Sequence, residues 1–212
     1  MRNARNLALF VPLSVLLAGC SGAPTRPALA PLSMEARPVA AVMDFEYRAP
    51  DQAYAKSATG LADGVATALV GTGRLKLVER SRIETVIAEA KLGMTGIIDS
   101  AKAVEVGKMV GAEYIIVGSV TNVSVRDEWR SVLLLSKTTR YVDVEAETRM
   151  FSVREGVLVA GGRAVGKAEG AEKHVLFSKV GEMPSKESLV QEALIGLGES
   201  LAYDLAVNVQ GK

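Results

Sequence analysis

Cysteine, histidine and tryptophan each occur once in the 212 residues, and charge of either sign is nearly balanced, with 25 Lys and Arg against 24 Asp and Glu. One cysteine and one histidine exclude a Cys/His zinc site built from a single chain, because such a site needs three or four of these ligands or a carboxylate in their place. This weighs against much metal-assisted hydrolysis. One cysteine also excludes a disulfide scaffold. A net charge of +1 leaves no general electrostatic footprint for nucleic acid. Apolar residues make up 49% and charged residues 23%, the usual proportions of a globular domain and unlike those of a collagen-like or disordered chain.

No hydrophobic run is long enough to span a bilayer as a helix. The longest, Leu7 to Leu17, is broken by Pro12 and Ser14. With Arg2 and Arg5 before it and Leu17-Ala18-Gly19-Cys20 after it, the segment has the three parts of a secretory signal. Its last four residues resemble the bacterial lipobox, in which the cysteine is acylated and becomes the new N-terminus. The resemblance implies a leader over residues 1–19, lipidation at Cys20 and membrane attachment through that lipid. Ser21 stands where an aspartate retains lipoproteins of this kind at the inner membrane, so the outer membrane is the expected destination, on its periplasmic face. Loss of the leader removes two basic residues and leaves 23 against 24.

Residues 20–38 hold four of the seven prolines and little apolar periodicity, which suggests a tether. Its 18 residues after Cys20 would reach ~56 Å in a polyproline-like state. A single domain is expected over residues 39–212.

Val39 to Phe45 suits a buried first strand, and Leu61, Val65, Ala68 and Leu69 recur at helical spacing. Arg74 to Val78 alternates as a half-buried strand. Ser81 and Glu84 have the spacing of a capping box, followed by Ile83, Val86, Ile87 and Ala90 on one helical face and a stop at Gly93. A second helix fits Ser100 to Val110, between Asp99 and Gly111. Tyr114 to Val117 is an apolar strand that extends toward Val125, and the segment Arg126 to Arg130 reads as a turn. The contiguous Val132, Leu133, Leu134 and Leu135 read as a buried strand.

From Tyr141 to Met150, Val142, Val144, Ala146 and Met150 alternate with charged residues. With a turn at Arg154-Glu155-Gly156 this predicts a hairpin with one wet face. Ser185 to Ala206 is a helix with Val190, Leu194, Leu197, Leu201 and Leu205 on one stripe, and Gly196 and Gly198 within it are candidates for close helix packing. The order β-α-β-α-α-β-β-β-α predicts an α/β (α+β) fold, a mixed sheet flanked by helices.

No motif specifies a catalytic centre or a cofactor. Gly161 to Lys167 matches a phosphate loop until Ala168 replaces the magnesium-binding Ser or Thr, and the run follows a strand without opening a helix. Its glycines fit strand bending or close approach better. His174 stands in Lys173-His174-Val175-Leu176-Phe177, a run without an acid or a serine, and reads as a surface or hairpin-tip residue. The pairs Asp44/Glu46 and Asp127/Glu128 read as solvated carboxylates. Trp129 among charged neighbours fits an interface anchor or a hairpin cap equally well.

Four segments together carry a family resemblance: Leu17 to Cys20, Val42 to Phe45, Gly73 to Arg80, and Ala103 to Ser119. They resemble the CsgG family of bacterial lipoproteins, in which Glu79, Arg80, Gly107, Gly111, Gly118 and Ser119 would be motif positions. Read without the family, Glu79 and Arg80 are a strand end beside a capped helix, and Gly107 and Gly111 are a packing residue and a helix stop. The resemblance implies a non-enzymatic outer-membrane lipoprotein without cofactor or small-molecule substrate. Its work would be assembly, secretion or anchoring of curli-like fibres or adhesins, often as a homo-oligomer, with a protein partner or secreted subunit. A related group, the LpoB-type activators, shares the domain and docks on a peptidoglycan synthase. After Ser119 no lipid-facing hairpin is evident, so a wide barrel pore is not expected.

Overall fold

The computed structural model describes residues 26–90, 100–175 and 178–211, so Cys20, the leader, Gly93 and Asp99 lie outside the described residues. The strands are β1 (Val39–Val42), β2 (Glu46–Tyr47), β3 (Lys76–Leu77), β4 (Tyr114–Val132), β5 (Leu135–Ser152), β6 (Leu158–Val175) and β7 (Ser178–Val180). The α-helices are α1 (Ser57–Gly71), α2 (Arg80–Glu89), α3 (Ser100–Val110) and α4 (Lys186–Ala206). The fold is a mixed sheet flanked by helices, in the order β3-β1-β4-β5-β6-β7 with β2 also on β4. The expected element order holds, with β2 and β7 as short additions; the first strand stops at Val42 and resumes at Glu46.

Helices α1 and α4 cover one sheet face, where Ile116, Val120, Val142, Val144, Ala146 and Met150 are buried. Helices α2 and α3 cover only the base of the other face, over Ile115, Val117, Phe151 and Val153. The stripe predicted on α4 is the one it buries: Val190, Leu194, Leu197, Leu201 and Leu205 are at most 4% exposed. Each such side chain contributes about 1.5–3 kcal/mol of apolar burial.

The small residues of β6 are what allow α4 to sit so close. Ala160, Gly162, Ala164, Gly166, Ala168 and Gly170 lie on the face that α4 covers, each registered with an inward residue of β5. A Cβ on Gly166 would stand 2.1 Å from the Ala193 carbonyl oxygen, and one on Gly170 would stand 2.6 Å from Pro184 Cδ. The phosphate-loop-like run is therefore the floor beneath a helix, inside a strand fully paired with β5. Of the two glycines in α4, Gly198 meets the backbone of Gly64 and Val65 on α1, whereas Gly196 faces open space.

Four expectations are corrected. Arg126 to Arg130 is not a turn: β4 runs through it in unbroken register with β5, from Arg126 opposite Tyr141 to Arg130 opposite Lys137. Alternating charge on a strand wet on both faces leaves no apolar period to read. Val132 to Leu135 is not a buried strand but the exposed end of that hairpin, with Leu133 and Leu134 as its two-residue turn. The capping box does not form. Helix α2 begins at Arg80 with Glu79 as a cap that makes no side-chain bond, and Arg80 Nε donates to Glu84 Oε1 at 3.1 Å.

Finally, residues 26–38 are not a free tether. Leu29 and Leu32 pack on the main core, Leu32 N–H donates to the Gly73 carbonyl at 3.0 Å, and Arg74 Nη1 donates to the Ala30 carbonyl at 2.9 Å. Arg26 donates to the Ser200 carbonyl at 2.7 Å, pairs with Asp204 at 3.4 Å and lies over the Tyr203 ring. Six residue steps separate Cys20 from this docked strap, about 20 Å fully extended.

Candidate interaction site

The motif residues gather around the base of the sheet and serve its packing. Arg80 carries the densest polar cluster. Its guanidinium donates to Asp44 after β1, to Asp63 of α1 at 2.6 Å and to Glu84 of α2 at 3.1 Å. One cation thus joins three elements, and Asp44, read from sequence as solvated, is one of its partners. Glu79 is exposed, and its carbonyl accepts from Arg82 and Ile83 N–H at the start of α2.

Gly107 lets α3 approach the sheet, since a Cβ there would stand 2.6 Å from Val153 Cγ2. Gly111 ends α3 with φ +74°, a conformation that favours glycine. Gly118 makes room for the Phe45 ring, and buried Ser119 donates to Glu147 Oε1 at 3.3 Å. None of these atoms converges on a nucleophile and base. Replacing Arg80 by glutamine leaves three carboxylates facing one another, and because all four groups are partly exposed the expected cost is modest, about 1–2 kcal/mol. A lower urea midpoint for Arg80→Gln, partly restored by adding Asp63→Asn, is the expected result; an unchanged midpoint would contradict the joint.

The surfaces that remain available lie on the distal part of the sheet. β4 has no strand partner on its outer edge beyond Val120, and β6 has none on its outer edge before Lys173, among the described residues. The β4–β5 hairpin extends past the helices, braced by Arg140, which donates to both oxygens of Asp127 at 2.7 Å and to the Pro184 carbonyl at 3.2 Å. Those Arg140 hydrogen bonds hold the pKa of Asp127 below the ordinary carboxylate value, and Asp127 and Glu128 are strand residues in ion pairs, with Arg140 at 2.7 Å and Arg130 at 3.4 Å. His174 lies on β6 opposite Ser136, 3.8 Å from Glu172, close to the hairpin end as expected. Trp129 is 68% exposed and does not cap the hairpin by burial.

The sequence matches the family described as curli production assembly/transport component CsgG over residues 28–198. The chain belongs to that family. Among solved structures, this CsgG-family chain is similar to the LpoB C-terminal domain from Salmonella enterica, at 17% identity and TM-score 0.44, covering 64% of this chain and 86% of that one. It is also similar to the PelC dodecamer from Paraburkholderia phytofirmans, at 15% identity and TM-score 0.38, covering 88% and 95%. A third likeness is to a putative neuraminyllactose-binding hemagglutinin homolog from Helicobacter pylori, at 8% identity and TM-score 0.46, covering 87% and 94%. A comparison with curated proteins gives no match.

Proposed function

We propose that this CsgG-family chain is a non-enzymatic lipoprotein, held at the periplasmic face of the outer membrane by acylated Cys20. It works in assembly, secretion or anchoring of curli-like surface fibres or adhesins through protein surfaces, as a cyclic homo-oligomer. The observation that carries the reading is the family match over residues 28–198. The two unpaired edges on opposite sides of one sheet support a head-to-tail contact, which closes into a ring when the rotation between neighbours allows. The small-residue face of α4 is not a ground for self-association, because Gly198 is already used against α1 of the same chain.

A wide barrel pore is no part of the proposal, although strands of 18 to 19 residues are present. Length is no obstacle; charge is. Arg126, Glu128 and Arg130 point to one face of β4 and Asp127 to the other, and each basic residue set against lipid near the midplane costs on the order of 2–4 kcal/mol. An LpoB-like activator docking on a peptidoglycan synthase is the alternative. The docked strap counts against it, since about 20 Å of chain beyond Cys20 is little reach through a cell wall.

No helix among the described residues is long and apolar enough to cross a membrane. With Cys20 as the proposed acylation site, Cys20→Ser is expected to leave an unprocessed or released protein. Membrane fractionation that finds the variant correctly processed and still firmly at the outer membrane would overturn the anchor.

A further inference from the structure

At the far end of the sheet β4, β5, β6 and β7 lie in register, with Ser178 and Val180 of β7 beside Val175 and Lys173, and across the first three strands like side chains fall in rows. Val132, Leu135 and Val175 are partners across β4, β5 and β6, and two residues inward on the same face Arg130, Lys137 and Lys173 are partners. All six are exposed. An apolar row at the rim is thus followed by a cationic row about 7 Å below it. Arg130 has Glu128 at 3.4 Å, but Lys137 and Lys173 stand directly opposite each other, an arrangement of like charges that weakens a sheet. Beyond the apolar row, Leu133 is 98% exposed and Leu134 63%.

Leu133 also has φ +52°, the single described non-glycine residue with a positive φ. A bulky side chain is unfavourable in that conformation, and no core contact of Leu133 repays the strain. Trp129, on the opposite face one residue before Arg130, adds an amphipathic ring at the same level. Local preference and core packing do not account for Leu133, and cross-strand charge pairing does not account for Lys137 opposite Lys173.

The geometry points to a second membrane contact: the tip enters the headgroup layer of an anionic bilayer, with Val132, Leu133, Leu134 and Leu135 toward the acyl chains and the Arg130-Lys137-Lys173 row at the phosphates. The choice of a lipid surface rests on charge complementarity, since cations beneath an apolar rim repel one another in water and are neutralised by a layer of phosphates. Penetration stops at the cationic row, within the 5–10 Å typical of interfacial elements, so the hairpin lies in the surface and does not span. The inference rests on the reading of the chain as membrane-anchored. Gly162, beside Asp204 and the docked Arg26, is about 43 Å along β6 from Val175. With Cys20 within about 20 Å of Arg26, a tip in the same bilayer lays the long axis of the sheet low over the membrane.

Trp129 is the sole tryptophan of the chain, so its emission reads the tip alone. Full-length acylated protein is placed on vesicles of phosphatidylethanolamine and phosphatidylglycerol and recovered by flotation. The expected result is blue-shifted emission, quenched by lipids brominated on their chains and shielded from acrylamide, with a smaller shift on phosphatidylcholine. Leu133→Asn with Leu134→Ser is expected to abolish the shift while the protein still floats; asparagine tolerates a positive φ, so the hairpin is kept. Floated protein whose Trp129 remains open to acrylamide overturns the tip contact and leaves the anchor standing. An equal shift in lipid-free protein at the same concentration also overturns it, in favour of a second copy covering the tip. Equal shifts on neutral and anionic vesicles overturn the role of the cationic row. Protein that does not float overturns the anchor and, with it, this inference.

Discussion

Gly166→Ala is expected to lower stability by about 3 kcal/mol, the upper end of the usual range for overpacking. The added methyl would stand 2.1 Å from the Ala193 carbonyl oxygen and 2.8 Å from Leu197 Cβ. Neither atom is the free end of a flexible side chain, so relief requires α4 to lift from the sheet. For a chain of this size the loss corresponds to a fall in Tm of roughly 6–12 °C. Gly162→Ala meets Asp204 Cβ at 2.9 Å, which side-chain rotation does not move, but no backbone atom as close as the Ala193 carbonyl oxygen, so a smaller effect is expected. Gly196→Ala faces open space in the middle of a helix and is expected to stabilise by up to about 1 kcal/mol. Thermal unfolding of the three variants in one detergent checks the ranking. A Gly166→Ala protein that melts with or above the parent would show that the glycine is not what seats α4.

The second large effect is expected at Arg74. Its Nε donates to the Ala206 carbonyl at 3.0 Å, its Nη1 to the Ala30 carbonyl at 2.9 Å and its Nη2 to the Val209 carbonyl. One guanidinium thereby holds the strap and the end of α4 together. Hydrogen bonds from a charged donor are worth about 1.5–3 kcal/mol each, and part of that is recovered from water when they are lost at a partly exposed site. Arg74→Gln is expected to cost about 2 kcal/mol locally, which raises the open population of the strap roughly 30-fold. Limited proteolysis reads this directly as faster cleavage within residues 26–38 while the hairpins stay resistant. Arg74→Lys keeps the charge but not the fork, so only partial protection is expected. Equal cleavage of Arg74→Gln and parent would mean that Leu29 and Leu32 alone hold the strap.

Much of the layered core was legible because its periodicity is simple. The stripe Val190, Leu194, Leu197, Leu201 and Leu205 and the alternation Val142, Val144, Ala146 each describe one buried face, and burial follows from period alone. The small face of β6 was visible as alternating Ala and Gly, but its meaning was not, since a stripe of glycines does not say which helix it receives. The hairpin end was misread for two physical reasons. A strand wet on both sides shows no hydrophobic period, and a run such as Val132 to Leu135 is apolar without being buried. The Arg80 cluster was beyond reach because two of its three carboxylates lie 36 and 17 residues away. Composition also hid the strap, where two leucines among prolines and alanines are enough to dock an extended segment.

The strap bears on the order of events during folding. Residues 26–38 are made before the helix they dock on, yet the strap closes against Ser200, Tyr203 and Asp204 and, through Arg74, against Ala206 and Val209. The first of those partners, Ser200, lies 174 residues beyond Arg26 in the chain. Until they emerge the strap has no seat. Contacts of such wide sequence separation are slow to form. Completion of α4 therefore acts as the latch that seats the strap, and under the proposed acylation of Cys20 it sets how close to that lipid the domain is held.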